Sequence, residues 1–419
     1  MTATDPRRAT HRAVEAVWRI EAGRLIAGLA RIVSDVGLAE ELAQDALVIA
    51  LEQWPASGVP DNPGAWLMAT AKHRAIDLLR RRSTYERKLA EVGRQLSETE
   101  EPDLAAALDD HIGDDLLRLI FTACHPVLST EGRVALTLRV VGGLTTDEIA
   151  RAFLVPEPTV AQRILRAKRA LATAGVPFEL PPPAELAGRL SSVLEVVYLV
   201  FNEGYSATAG DDWMRPALCE EALRLGRILA GLTPAEPEVH GLVALMEIQA
   251  SRIPARTGAD GAPVLLLDQD RRRWDRLLIR RGLAALDRAE ELGGGPYTLQ
   301  AAIAACHGRA LSPADTDWTR MAALYRVLAH ISPSPVVELN RAVAVGMAAG
   351  PAEGLAIVDA LRSERALDRY PQLPAVRGDL LARLGRLDEA RQEFERAADL
   401  THNERERRLF LNRAAACAP

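Results

Sequence analysis

Six side chains between positions 162 and 169 carry the chemistry of a base-reading surface. At 100° per residue, Gln162, Leu165, Arg166 and Arg169 fall on one face of a helix, with Arg163 and Lys168 on its flanks. Arginine pairs bidentately with guanine and glutamine with adenine. An apolar tip touches a thymine methyl, and flanking cations hold phosphates. The opposite face, Val160, Ile164, Ala167 and Leu171, is apolar and suits a core. Taken alone, the pattern also describes an ordinary amphipathic helix with a solvated basic face.

Two more stripes have a defined chemistry. Thr70, His73, Arg74, Asp77, Arg80 and Arg81 recur at helical spacing and make a mostly basic line, which suits a nucleic-acid backbone. His73 by itself reads as a surface or packing residue. Glu41, Gln44, Asp45 and Glu52 make an acidic stripe, by itself an ordinary solvated face. No nucleophile–base–orienter set and no phosphate-cradling glycine loop emerges, so no catalytic residue and no cofactor is expected. Cys124-His125 and Cys306-His307 lack metal-ligand spacing, so no metal is expected either. The four cysteines are far apart with no CxxC, which points to buried, reduced thiols in a cytoplasmic protein.

The elements that must position these residues are helices. Leu144 to Leu171 reads as a helix-turn-helix. Thr145 and Glu148 have capping-box spacing, DEIARAF is a short helix, LVPEP is the turn, and Pro158 suits the start of a second helix over about 159–171. Upstream, 11–30 is helical with Val14, Val17, Trp18, Ile20, Leu25, Ile26 and Leu29 as core candidates, and Ser34 and Asp35 offer a cap. The next helix, from Gly37 to Trp54, buries Leu38, Leu42, Ala46 and Ile49. Residues 55–64 form a proline-rich loop. The long helix AWLMATAKHRAIDLLRRR follows, with Trp66, Leu67, Ala69, Ala75, Ile76 and Leu79 on its buried side. Ser83 to about Asp110 is a polar, acidic linker, and 114–138 holds two helices interrupted at HPVLST. The scarcity of aromatics and the abundance of alanine, leucine and arginine also favour an all-α fold.

The order acidic helix (GLAEELAQDAL), loop, NPGAWLMATAKHRAIDLLRRR, linker and TVAQRILRAKRAL resembles bacterial RNA polymerase sigma factors of the extracytoplasmic-function (ECF) type. The likeness covers roughly residues 10–176. It implies a region 2 domain over 10–88, a linker over 89–110 and a region 4 domain over 111–176. It gives the acidic stripe a partner: Glu41, Gln44 and Asp45 would face the β′ coiled coil of core RNA polymerase, with the β flap as a second contact. Residues 55–64 would capture an unstacked base of the −10 element. Lys72, His73, Arg74, Asp77, Arg80 and Arg81 would lie along the melted strand, repaying a cost of a few kcal/mol per unpaired step. Gln162, Arg163, Leu165, Arg166, Lys168 and Arg169 would enter the major groove at the −35 element. Ala161 stands where many such factors have Lys or Arg, which removes one contact.

Beyond the three prolines Pro181–Pro183, which stiffen a boundary, everything is additional to a minimal factor of this type. The segment 184–310 reads as a helical extension and 315–419 as tetratricopeptide-like (TPR-like) repeats. In the latter, Gly385, Ala390, Phe394 and Ala397 occupy packing positions, and Ala356 precedes Ala390 by about one period. FNEGY, from Phe201, and DQDRRRW, from Asp268, are polar clusters that read as caps and salt-bridged turns, or as the lining of a ligand pocket. Together with the LNRAVA segment they resemble the ECF subgroup with a C-terminal TPR-type extension. The expected partners are core RNA polymerase, promoter DNA and a protein or peptide on the extension.

The net charge of −6 does not announce a nucleic-acid binder; the basic residues are concentrated locally. VLEVVYLVF, from Val193, is too short to span a membrane, and no membrane association is expected. The competing expectation is a conventional helix-turn-helix regulator with a TPR-like sensor domain, binding duplex DNA unaided. An enzyme in the extension would need a paired base or nucleophile, which the sequence does not offer.

Overall fold

The computed structural model describes residues 6–92, 112–153, 155–207, 209–210, 213–258 and 261–417. The chain divides into two units, Met1–Val197 and Tyr198–Pro419.

The first unit begins with α1 (Pro6–Val33), α2 (Val36–Ser57) and α3 (Pro63–Val92). Between α1 and α2, Ser34 takes a left-handed φ of +53° and the Asp35 carboxylate accepts from the Leu38 N–H at 2.9 Å. Asn62 caps α3 by accepting from Ala65 N–H at 3.1 Å. Trp54 is fully buried, and its ring meets Trp66 edge-on at 5.4 Å. Then come α4 (Ile112–Ala123), α5 (Thr130–Val140), α6 (Thr146–Phe153) and α7 (Glu157–Thr173). The expected capping box is present: Glu148 N–H donates to Thr145 Oγ1 at 3.1 Å, and Thr145 N–H donates to the Glu148 carboxylate at 2.8 Å. Phe121, Leu119, Leu136 and Leu138 fill the core here. The helix α8 (Pro183–Tyr205) starts in this unit, where Arg189 donates to Phe121 O at 2.9 Å and Ser192 Oγ to Cys124 O at 3.0 Å.

Several expectations need correction. Ile20 is 66 % exposed, because it lies off the Trp18–Ala22–Leu25–Leu29 stripe that α1 buries. Ala69 is exposed and Ala71 takes its place in the core. The loop after α2 is residues 58–62, because Pro55–Ser57 complete α2 and Pro63 opens α3. The α3 backbone stays helical to Val92, beyond the start assigned to the linker; residues 93–111 of that linker lie outside the described residues. The units divide at 197/198, not at the prolyl run, because Arg189 and Ser192 tie the start of α8 to α4 and the turn after it.

The second unit carries α9 (Pro216–Leu232), α10 (Pro237–Ala250), α11 (Arg276–Glu291), α12 (Pro296–Arg309), α13 (Trp318–Ile331), α14 (Pro335–Ala348), α15 (Pro351–Ala360), α16 (Gln372–Arg383), α17 (Leu387–Leu400) and α18 (Glu404–Ala416). Five of them open on proline, whose missing N–H costs nothing at a helix start. Consecutive helices pack on one another. The strand content of the described residues is one two-residue parallel pairing, Ala209–Gly210 with His402–Asn403, so the fold is all-α. Ala390, Phe394 and Ala397 are buried as expected, and Gly385 ends α16 at φ +75°. A Cβ on Gly378 would come within 2.9 Å of the Phe394 ring, so glycine there lets α16 and α17 approach closely. Ala356, by contrast, is exposed, while its neighbours Gly354 and Leu355 are buried, so the expected one-period match to Ala390 does not hold. No described helix is long and apolar enough to cross a membrane.

Candidate nucleic-acid interface

The helix α7 is positioned by its apolar face. Val160, Ile164, Ala167 and Leu171 are all at most 7 % exposed and pack on α5 and α6. The other face is left to solvent: Gln162, Arg166 and Arg169 are exposed, Arg163 is half-buried, and Leu165 is 46 % exposed. Arg166 Nη2 donates to Gln162 Oε1 at 3.2 Å, so the amide and the guanidinium already share an orientation. The exposed Leu165 lies beside Arg166 and Arg169 on this face. It fits a surface that meets both phosphates and thymine methyl groups.

Lys168 departs from this group. Its Nζ sits 2.5 Å from Glu40 Oε2. Glu40 is 3 % exposed, and its other oxygen accepts from Arg139 Nε at 2.6 Å and from Gln44 Nε2 at 2.6 Å. One buried carboxylate on α2 thus gathers α5 and α7. It is not alone. Trp18 Nε1 donates to Gly143 O at 3.1 Å, and Asp115, 3 % exposed, pairs with Arg31 at 2.9 Å and Arg118 at 2.7 Å. Through these contacts α1–α3 and α4–α7 are held against each other within the first unit. Glu40 gives no signal in the sequence, where it reads as one more acid of a solvated helix.

On α3, His73, Arg74, Asp77, Arg80 and Arg81 are exposed and Thr70 and Lys72 half-buried, so the expected stripe lies on one accessible face. Arg74 reaches Asp45 of α2 at 3.2 Å, with both side chains about half exposed. Such a pair contributes about 0–1 kcal/mol and breaks easily when a partner competes. On α2 itself Glu41 and Asp45 are exposed, whereas Gln44 is turned toward Glu40.

The cysteines are buried and unpaired; burial pushes the thiol of Cys124 up to about 11 and that of Cys219 to about 12, which leaves both unreactive. Among the described residues no group of His, Cys, Asp and Glu could hold a metal ion.

Residues 19–85 match the family described as Sigma-70 region 2, and residues 118–171 match Sigma-70, region 4. Residues 189–290 match a family of unknown function (DUF6596). The uncharacterized protein R00370 of Rhizobium meliloti (strain 1021) is 47 % identical over 93 % of this chain and 92 % of its own length. The ECF RNA polymerase sigma factor SigK of Mycobacterium ulcerans (strain Agy99) is 29 % identical over 34 % of this chain and 75 % of its own length. SigK of Mycobacterium sp. (strain KMS) is 27 % identical over 34 % of this chain and 72 % of its own.

Proposed function

The chain belongs to the sigma-70 family, in its ECF type, and from that premise we propose that it binds core RNA polymerase and directs promoter-specific initiation under the control of its C-terminal extension. A sigma factor is not itself an enzyme; the polymerase performs the chemistry. Glu41 and Asp45, on the open side of α2, meet the basic β′ coiled coil, and the region 4 helices meet the β flap. Lys72, His73, Arg74, Asp77, Arg80 and Arg81 follow the melted −10 strand. Gln162, Arg163, Leu165, Arg166 and Arg169 enter the major groove at −35. Lys168 joins them only once Glu40 has released it.

The observation that carries this reading is the exposed Gln162–Leu165–Arg166–Arg169 face, set on a capped helix-turn-helix in the same unit as the basic face of α3. A regulator binding duplex DNA unaided would have no use for that second face. The extension, residues 184–419, acts as a regulatory module built on TPR-like helix pairs that take a protein or peptide partner; it works in the cytoplasm, where the polymerase is. Its support is a second unit with its own core and no catalytic constellation among its described residues.

The test is reconstituted transcription from a promoter selected out of a randomised library. Core polymerase and this chain together should open and transcribe the promoter, and neither alone should. Duplex binding at full strength by the chain alone, with no transcription on adding core, would replace the proposal with the conventional regulator.

A further inference from the structure

One cavity of the second unit is lined by Asp268, the first residue of DQDRRRW, and by Ser206, which follows FNEGY. It encloses about 590 Å³ within the second unit, a volume suited to a small molecule. Arg256 stands in its wall, 7 % exposed, with its guanidinium 3.5 Å from the Tyr205 ring centroid and 4.3 Å from that of Trp213. Tyr205 is the last residue of FNEGY. The Arg256 guanidinium donates to the Tyr205 carbonyl, and no ion pair to a carboxylate is found for it among the described residues. Its charged neighbour is another cation, Arg252, and burial holds its pKa down at about 10.

The layer behind repeats the pattern. Arg252 is 8 % exposed, lies 5.6 Å from the Tyr205 ring, and its Nε has no partner. Arg271, from DQDRRRW, is 4 % exposed and donates to the carbonyls of His307 at 3.0 Å and Ala310 at 2.8 Å and to Thr316 Oγ1 at 3.0 Å. Its Nε is also unsatisfied, and the acid whose charge acts on it is Asp315. Three arginines are therefore buried together on backbone carbonyls and aromatic faces. Burying cations with so little counter-charge is expensive, and a fold that needed only packing here would be more stable with apolar side chains.

We propose that this cavity binds a small amphiphilic carboxylic acid, with the carboxylate against Arg256 and the apolar body along Leu265, Leu266, Val343, Met347 and Leu380. The other lining cations, Arg383 and Arg413, are already engaged by Asp379 at 3.0 Å and 2.5 Å; of the remaining lining acids, Glu406 accepts from Gln372 Nε2 at 2.7 Å and Thr401 Oγ1 at 2.5 Å, and Asp268 is exposed to solvent. Arg256 is thus the lining cation without a carboxylate partner among the described residues, and the apolar stretch Leu265, Leu266, Val343, Met347 and Leu380 selects an anion with a hydrophobic body over a bare phosphate. Contact with the Tyr205 and Trp213 rings holds the guanidinium in place before the ligand arrives. Only the further step, that this acid is the signal the extension senses, rests on the sigma reading; the binding itself does not, and its failure would leave polymerase binding untouched.

The test uses the full-length chain and two fluorescent probes, 8-anilinonaphthalene-1-sulfonate and its uncharged analogue N-phenyl-1-naphthylamine. The wild-type protein should bind the anion about tenfold more tightly than the neutral probe, the scale of one charge-assisted hydrogen bond. Decanoate should displace the anion competitively. Arg256→Gln should bring the preference close to parity, and Arg256→Lys should restore part of it. Met347→Trp, which fills the cavity and leaves Arg256 in place, should weaken both probes. Circular dichroism checks that each variant is folded. Equal affinity for the two probes in the wild type would overturn the proposal. So would anion binding that survives unchanged in folded Arg256→Gln and Met347→Trp proteins.

Discussion

Replacing Glu40 by glutamine should destabilise the first unit and at the same time free its DNA-reading helix. The carboxylate is 3 % exposed and takes Arg139 at 2.6 Å, Lys168 at 2.5 Å and Gln44 at 2.6 Å. Removing one partner of a buried ion pair costs about 3–5 kcal/mol, because the remaining charge is stranded. Arg139 and Lys168 keep 18 % and 21 % of their side-chain surface in water, so both re-solvate in part and the lower end applies, about 3 kcal/mol. For a unit of this size that corresponds to a fall of about 6–12 °C in the melting transition. Native-state hydrogen exchange localises the loss: amides of α2 and α5 should lose protection while those of α16 and α17 keep theirs. The second readout has the opposite sign. Lys168 is released, so promoter affinity with polymerase should rise while stability falls. A Lys168→Met partner variant completes a double-mutant cycle, and the two substitutions should be strongly non-additive. A Glu40→Gln protein within about 0.5 kcal/mol of wild type, and additive with Lys168→Met, would refute the buried-network argument.

Three further outcomes are expected. Arg166→Ala should weaken the upstream promoter element by about 1–3 kcal/mol if it pairs bidentately with guanine, read by footprinting; an unchanged footprint there counts against its placement. Glu41→Lys combined with Asp45→Lys should reduce polymerase affinity without lowering the melting temperature, since both side chains are exposed; undiminished affinity in the folded double variant would remove α2 from the polymerase contact. His307 is buried against Trp318 at 5.2 Å, and burial, followed by the cations Arg252 and Arg271, lowers its pKa from 6.5 to about 3. The folded chain therefore favours the neutral ring. The stability this confers is present above pH 6.5 and is lost as pH falls toward 3, by an amount on the order of a few kcal/mol. His307→Phe should flatten that part of the pH–stability curve relative to wild type; parallel curves for the two proteins would contradict it.

What could be read from the residues was local. The helix-turn-helix was legible because a capping box and a four-residue apolar stripe are both encoded within 28 consecutive positions, Leu144 to Leu171. Ile20 misled because its residue type suits a core while its phase on α1 does not. Lys168 was legible as a flanking cation but not as a partner of Glu40, because their pairing spans the distance from one domain motif to the other. Trp18 with Gly143, 125 positions apart, is the same kind of contact. In the extension, the sequence drew attention to FNEGY and DQDRRRW but left caps and pocket lining as alternatives. Caps are present: Asp270 caps the turn at Arg272, and Asp275, the residue after the motif, caps α11; Tyr205 lies against Arg256, Arg271 is buried near Arg252, and of the two motifs Asp268 alone lines the cavity. Nothing in the letters distinguishes an arginine packed on aromatic rings from one in water.

The most direct measurement is a titration of the purified full-length chain with bacterial core RNA polymerase in the absence of DNA. Saturable one-to-one binding is expected, weakened by Glu41→Lys with Asp45→Lys and unaffected by Arg166→Ala. An absence of binding by the full-length chain and by its Glu40→Gln variant alike would contradict it, because neither the closed network around Glu40 nor the exposed face of α2 could then account for the failure.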